Sequence, residues 1–307
     1  MKVVCLSGGV GGAKLAVGLH DVLAPRELTV IGNVGDDLEV LGLHVSPDLD
    51  SVLYGLAALN DTERGWGRKG ETWEALESAR SWGGEGWFML GDRDLGLHLV
   101  RSQALREGET LSDVTARLVL AAGVETRLLP ATDDRLRTHL VTPAGTFSFQ
   151  EWFVARRHED EVDALRYDGA DTSRPAPGVI EAIEGADAIV IAPSNPFVSI
   201  HPILAVPGIR AAIEARSVRC VAVSPLIGGR AVRGPVDRMM QHLLGGATPA
   251  LVSMCYKGLL DALVIDSADE AAETDGAVVV TDTLMSDREA ARRLAQTTLE
   301  AAMETPA

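Results

Sequence analysis

Residues 7–14, Ser7-Gly8-Gly9-Val10-Gly11-Gly12-Ala13-Lys14, join four glycines, a hydroxyl and a lysine between an apolar run and a helical repeat. Glycines let the backbone approach a ligand closely, and a helix N-terminus offers unpaired N–H groups and the positive end of its dipole. The pattern suits a phosphate, with Gly9, Gly11, Gly12 and Lys14 as the candidate ligands. It is not a Walker A loop, because no Gly-Lys-Ser/Thr closes it, and it does not fit GxGxxG in register. Gly32-Asn33 stands at the end of the next strand, where a dinucleotide fold carries an acid for the ribose. The alternative is a tight turn whose glycines serve packing alone.

A second group is acidic. Asp36 and Asp37, then Asp48 and Asp50, put four carboxylates on two loops past a strand, the side on which open α/β sheets bind ligands. Such oxygen donors suit Mg²⁺, which takes one or two carboxylates and completes its shell with substrate phosphates. Equally, Asp36 or Asp48 can cap a turn or helix. Gly91-Asp92-Arg93-Asp94 sets an arginine between two acids at a helix start, either a clamp for a polar ligand or a self-satisfied surface cluster. Upstream, Trp66, Trp73, Trp82 and Trp87 could stack on a flat ring or fill a core. Pro193-Ser194-Asn195-Pro196 and Ser224-Pro225 follow buried strands and point toward the same crevice as the glycine loop. Arg230 and Arg233 are the local cations a diphosphate would require, or else solvated loop charges.

Other chemistries are not supported. The seven histidines show no HxxxH or His/Cys grouping, so a zinc hydrolase has no ligand set. There is no GxSxG elbow, and Cys5, Cys220 and Cys255 are scattered without CxxC, so neither a disulfide framework nor a zinc knuckle is implied.

The elements that must position these groups follow from periodicity. Val3–Leu6 reads as a buried strand, Leu15, Leu19, Val22 and Leu23 as a helix ending at Pro25, and Leu28–Ile31 as the next strand. This βαβ order calls for a parallel sheet with right-handed crossovers. Strands at Ala188–Ala192, Val218–Val223, Leu263–Ile265 and Val278–Val280 repeat the pattern, with helices near 209–215 and 236–244 and a closing helix near 287–303. Between the halves lie a helical region over 95–122, with Ser112 as N-cap of its second part, and a hairpin around Pro143-Ala144-Gly145. The expected fold is α/β, a Rossmann-like three-layer sandwich with a mostly parallel sheet. It forms one domain over 1–307, with its core at about 1–60 and 175–307 and a helical and hairpin insertion at about 61–174.

Composition narrows the partners. Lys+Arg 28 against Asp+Glu 44 gives a formal net charge of −16, which argues against a nucleic-acid backbone binder and means any phosphate is held locally. No apolar run approaches the ~20 residues a membrane-spanning helix needs, and no signal peptide opens the chain, so a cytoplasmic protein is expected.

In order along the chain, SGGVGGAKL (7–15), GDD (35–37), SPDLDSVLY (46–54), RGWG (64–67), ETW (71–73), LGDRDL (90–95), HLVRSQ (98–103), FQEWF (149–153) and APSNPFVSIHPIL (192–204) form one set. It resembles the 2-phospho-L-lactate transferase family of coenzyme F420 biosynthesis, which includes phosphoenolpyruvyl-transferring bacterial members. The resemblance spans nearly the whole chain, and the ordered set is more specific than any one motif. It implies transfer of a phosphate-linked three-carbon acid from a guanosine diphosphate-type donor to 7,8-didemethyl-8-hydroxy-5-deazariboflavin, with Mg²⁺ required and GMP released. Carried over by motif, Asp50 and Arg93 would touch the acceptor, and Asp36 with Asp50 would hold the metal. The glycine loop, Ser194 and Asn195 would hold the donor, with Arg233 on its phosphate. The family also suggests a homodimer. Arg233-Gly234-Pro235 departs from an expected Lys-Gly-Pro, and the two cations meet phosphate with different geometry.

On this reading a ribityl hydroxyl attacks phosphorus, GMP departs in line, and no nucleophilic Ser or Cys is needed. Asp50 would orient or deprotonate the hydroxyl, and Asp50→Asn is expected to cripple turnover with the fold intact. A nucleotide-sugar-binding regulator of the gluconeogenesis-factor type is the competing resemblance, carried by the glycine loop and the Pro-Ser-Asn turn. PDLD, ETW and GDRD make little sense in it without a second substrate. The transferase reading requires that glycine loop, early aspartates and GDRD turn share one crevice.

Overall fold

The computed structural model describes residues 1–269, 274 and 276–304. Seven strands form the central sheet: β1 (Val3–Ser7), β2 (Leu28–Gly32), β3 (Arg127–Pro130), β4 (Ala188–Ile191), β5 (Cys220–Val223), β6 (Ala262–Asp266) and β7 (Ala277–Thr281). Their spatial order is β7-β6-β5-β4-β1-β2-β3, and every neighbouring pair is parallel. Every residue of β1, β4, β5 and β6 is buried, because helices cover both faces of a parallel sheet. The chain runs outward from β1 through β2 to β3, then returns to β4 on the other side of β1. This reversal makes the gap between β1 and β4 the topological switch point, where the loops at the strand ends diverge and leave a crevice.

Helix α1 (Gly9–Val22) follows β1 directly and packs against α2 (Pro47–Leu56) and the C-terminal α6 (Arg288–Met303). Of the expected stripe it buries Leu15 and Leu19, while Val22 and Leu23 at its C-terminal end are half-buried. Helix α3 (Asp92–Arg106), α4 (Leu111–Ala121) and α5 (Val236–Leu244) are further helices of two turns or more. Two single turns of π-helix, Glu151–Ala155 and Pro196–Ile200, flank the crevice, a distortion that recurs at functional sites.

Several expectations need correction. Strand β3 lies inside the segment 61–174 that was placed outside the core, yet it pairs with β2 from Thr29↔Arg127 to Gly32↔Pro130. It has only four residues and opens on an exposed arginine, so it gives no apolar run to read. The hairpin is present as Arg137–Thr142 and Gly145–Ser148, but a third strand, Ala164–Asp168, joins it. The N-cap of α4 is Thr110, whose side chain accepts from the Asp113 N–H, and Ser112 instead donates its hydroxyl to Asp133 at 2.8 Å. None of Trp66, Trp73, Trp82 and Trp87 is buried, and the core tryptophan is Trp152. Among the described residues no helix is long and apolar enough to cross a membrane.

Candidate functional site

A cavity of about 690 Å³ opens at the carboxyl ends of the central strands. Gly8, Gly9, Gly11 and Lys14 after β1, Ser194 and Asn195 after β4, and Arg233 ahead of α5 line one part of it. Asp48, Asp50, Ser51 and Tyr54 of α2, with Asp94 of α3, line another. Phe88, Met89, Phe149 and Phe153 add an apolar wall. The glycine loop, the PDLD acids and the GDRD turn therefore do share one crevice.

The loop glycines divide by role. Gly9 takes a positive φ of 66°, and both it and Gly11 face the cavity. A Cβ on Gly11 would stand 2.6 Å from the Pro193 carbonyl, and one on Gly12 would meet the Ser7 and Ser194 hydroxyls at 2.5 and 2.6 Å. Gly12 does not line the cavity; it lets α1 close against the β4 loop, so here the packing alternative holds. Ser194 ties the two loops, its hydroxyl donating to the Gly8 carbonyl at 2.7 Å and accepting from the Gly8 N–H at 3.2 Å. The first turn of α1 carries no acid of its own, and the carboxylate that meets its N-terminus comes from α2, where Asp48 accepts the Gly9 N–H. Asn195 lines the same space but spends its carbonyl oxygen on the Phe197 N–H at 3.0 Å, as cap of the π-helical turn. Lys14 donates to the Met285 carbonyl at 2.7 Å, and burial, then the Arg233 charge, lower its pKa. Arg233 reaches across to the Arg64 carbonyl at 3.1 Å, joining two loops at the rim.

All four early aspartates are buried. The Asn33 side-chain amide donates to Asp48 at 2.9 Å and to Asp36 at 3.4 Å, and Gln150 donates to Asp36 at 3.0 Å. Asp48 also receives the Gly9 N–H at 2.6 Å, which binds α2 to the glycine loop. Burial, then the charges of Asp48 and Asp37, push the Asp36 carboxyl well above the ordinary carboxylate range; burial pushes Asp48 up to about 6. Asp37 is occupied by His44 at 3.0 Å and by the Ser46 hydroxyl at 2.9 Å.

Asp50 departs from expectation. Both its oxygens are held by the buried Arg101 guanidinium, one at 3.0 Å. The carboxylate that shares the Asn33 amide with Asp36 is Asp48, and Asp36, Asp48 and Asp50 all line the cavity. Among the described residues no cluster of three or more His, Cys, Asp and Glu side chains is arranged around a metal position. Mg²⁺ needs only one or two protein carboxylates, with phosphate oxygens supplying the rest, and the cavity-lining Asp36, Asp48 and Asp50 supply that number.

The GDRD turn also sorts differently. Asp92 accepts from the N–H groups of Glu74 and Ala75 and so caps the short helix Glu74–Ser81. Arg93 is exposed, donates to the Lys69 carbonyl at 3.4 Å, and is not among the cavity-lining residues. Its neighbour Asp94 faces the cavity and accepts the Tyr54 hydroxyl. Burial, then the Asp50 charge, push Asp94 up to about 6. Consecutive helical residues point in different directions, and here Asp94 lines the cavity while Arg93 does not. Asn33, Arg101, Gln150 and His98 were not singled out as site residues, although HLVRSQ and FQEWF contain three of them.

The family model described as 2-phospho-L-lactate transferase CofD matches residues 3–303. The chain belongs to the 2-phospho-L-lactate transferase family. Among relatives, a phosphoenolpyruvate transferase from Kitasatospora aureofaciens is 45% identical, with 97% of each chain covered. One from Streptomyces griseus is 43% identical over the full length of both, and one from Mycolicibacterium smegmatis is 39% identical over 98% of this chain and 99% of its own. A crystal structure of a UPF0052 family protein from Bacillus halodurans superposes with a TM-score of 0.63 at 18% identity, covering 97% of this chain and 99% of that one. It shares the fold. As a member of the transferase family the protein is an enzyme.

Proposed function

We propose that this transferase moves a phosphoenolpyruvyl or phospho-lactyl group from a guanosine diphosphate-type donor to 7,8-didemethyl-8-hydroxy-5-deazariboflavin, releasing GMP in coenzyme F420 biosynthesis. The observation that carries the reading is one cavity bounded by a glycine-lined helix N-terminus with two cations and by an apolar wall joined to a row of hydroxyls and carboxylates. An anionic nucleotide suits the first boundary, and a ring-bearing alcohol suits the second. The names of the relatives favour the enolpyruvyl donor.

In this reaction the acceptor's terminal hydroxyl oxygen bonds to the phosphorus bearing the three-carbon acid. The bond from that phosphorus to the bridging oxygen breaks, GMP leaves with the electron pair, and the hydroxyl proton passes to water. Such transfers rest on positioning and charge neutralisation. The amides of the α1 N-terminus, Lys14 and Arg233 hold the diphosphate, and Ser194 fixes the loop that presents those amides. Asp50, both oxygens held by Arg101, orients the hydroxyl. Mg²⁺, held by Asp36 and Asp48, would neutralise charge on the phosphates.

The test is incubation of pure protein with the deazaflavin alcohol, Mg²⁺ and each candidate donor, following GMP and the phosphodiester by mass spectrometry. Product is expected with the enolpyruvyl donor. No product with any donor, alongside tight nucleotide-sugar binding, would establish the regulator instead.

A further inference from the structure

Two motif segments meet at a cluster that the transfer step leaves unused. Asp94, in the first turn of α3, faces the cavity with the Tyr54 hydroxyl on one oxygen. One turn later His98 is 1% exposed, and neither ring nitrogen has a hydrogen-bond partner. Its Nε2 lies 3.7 Å from Asp94 and its Nδ1 lies 3.8 Å from Asp50, so one imidazole spans two cavity carboxylates. Both separations exceed a hydrogen bond, and a small shift of either carboxylate closes one of them.

Position indicates what the cluster reads. Helix α2 runs from Asp48, at the glycine loop, to Tyr54, at Asp94, a rise of about 9 Å at 1.5 Å per residue. Asp94 is therefore displaced along α2 from the glycine-loop end, in the same cavity that Phe88 and Met89 line. A carboxylate accepts several hydrogen bonds, and Tyr54 uses one. Ser51 and Tyr54 on the same helix add hydroxyls to this stretch.

We propose that Asp94 is a specificity-determining residue that accepts hydrogen bonds from internal hydroxyls of the acceptor's polyol chain, with His98 as the positioning residue that sets its carboxylate relative to Asp50. This rests on the acceptor being the ring-bearing sugar alcohol proposed above. Arg93, which the motif alone would favour, is not among the residues that line the cavity.

The experiment is calorimetric, with GDP filling the donor site, so that it does not depend on turnover. The wild-type protein is titrated with the deazaflavin alcohol and with an analogue lacking the internal chain hydroxyls, and Asp94→Asn and His98→Asn follow. The wild type should lose about tenfold or more in affinity for the analogue, the scale of a hydrogen bond to a charged group. Asp94→Asn should lose a similar factor for the full acceptor and discriminate little between the two. His98→Asn should weaken acceptor binding and discrimination while GDP affinity stays put. Equal binding of both ligands by the wild type overturns the proposal even if Asp94→Asn fails to fold, and so does a variant that loses GDP and acceptor affinity alike. If the wild type binds neither alcohol, the acceptor assignment itself falls.

Discussion

At the scale of single residues, the Asp50–Arg101 pair alters what a familiar experiment means. Asp50 is 5% exposed and Arg101 1%, and two hydrogen bonds join them. Removing one member leaves the other charge buried without its partner, which typically costs about 3–5 kcal/mol. Asp50→Asn was expected to spare the fold; the structure now predicts lost turnover and lost stability together, so inactivity alone would not assign Asp50 a chemical role. Arg101→Met separates the two effects, because it leaves the carboxylate in place. Urea unfolding should show a loss of about 3–5 kcal/mol for either single variant, and Asp50→Asn with Arg101→Met should lose much less than the sum. A loss below about 1 kcal/mol for Arg101→Met, the range of exposed pairs, would mean the pair is not what fixes Asp50.

Among elements, what matters is which loops are tied to which. Arg64 stacks on Trp66 and Trp73 at 5.0 and 4.7 Å from the ring centroids, and its carbonyl receives Arg233 from the loop ahead of α5. Arg233→Ala removes a phosphate contact and this tie at once. GDP affinity should fall by about tenfold to a hundredfold, the worth of a charge-assisted hydrogen bond, and residues 61–70 should be cleaved faster in limited proteolysis. Arg233→Lys should recover part of the affinity, as a point charge without the fork. Unchanged GDP affinity in Arg233→Ala would remove it from the donor site. The same scale explains what could be read in advance. Strands β1, β2 and β4 showed themselves as apolar runs because both faces are covered, and the glycine loop because its composition is tied to one use. Strand β3 and the third hairpin strand, Ala164–Asp168, with its alternating exposure, carry no such run. The pairings that set the site, Asn33 with Asp48 and Asp50 with Arg101, join residues 15 and 51 positions apart. Residue type announced a carboxylate cluster there, but only the packing of α2 against α3 and β2 decides which acid takes an amide, which an arginine and which a ligand.

For the whole molecule, a net charge of −16 sets a field that an anionic donor must enter. Inside the cavity Asp50 is already paired with Arg101, and burial pushes the carboxyls of Asp36, Asp48 and Asp94 up, so Lys14 and Arg233 meet a weaker opposing charge there than the net charge implies. An ordinary phosphate binder attracts its ligand from a distance and loses association rate as salt screens that attraction. Here the distant field repels, and the favourable contacts act only within a few ångströms. Raising NaCl from about 0.02 to 0.15 M shortens the screening length to about 8 Å, less than the breadth of the protein, so stopped-flow association of GDP should speed up. Mg²⁺ at matched ionic strength should speed it further, because it neutralises the Asp36–Asp48 pair on the path inward, and Asp36→Asn should abolish that excess while keeping the NaCl effect. A rate that falls with NaCl would mean that Lys14, Arg233 and the α1 N-terminus dominate the field at the mouth, and that the acidic surface is oriented away from the route the donor takes.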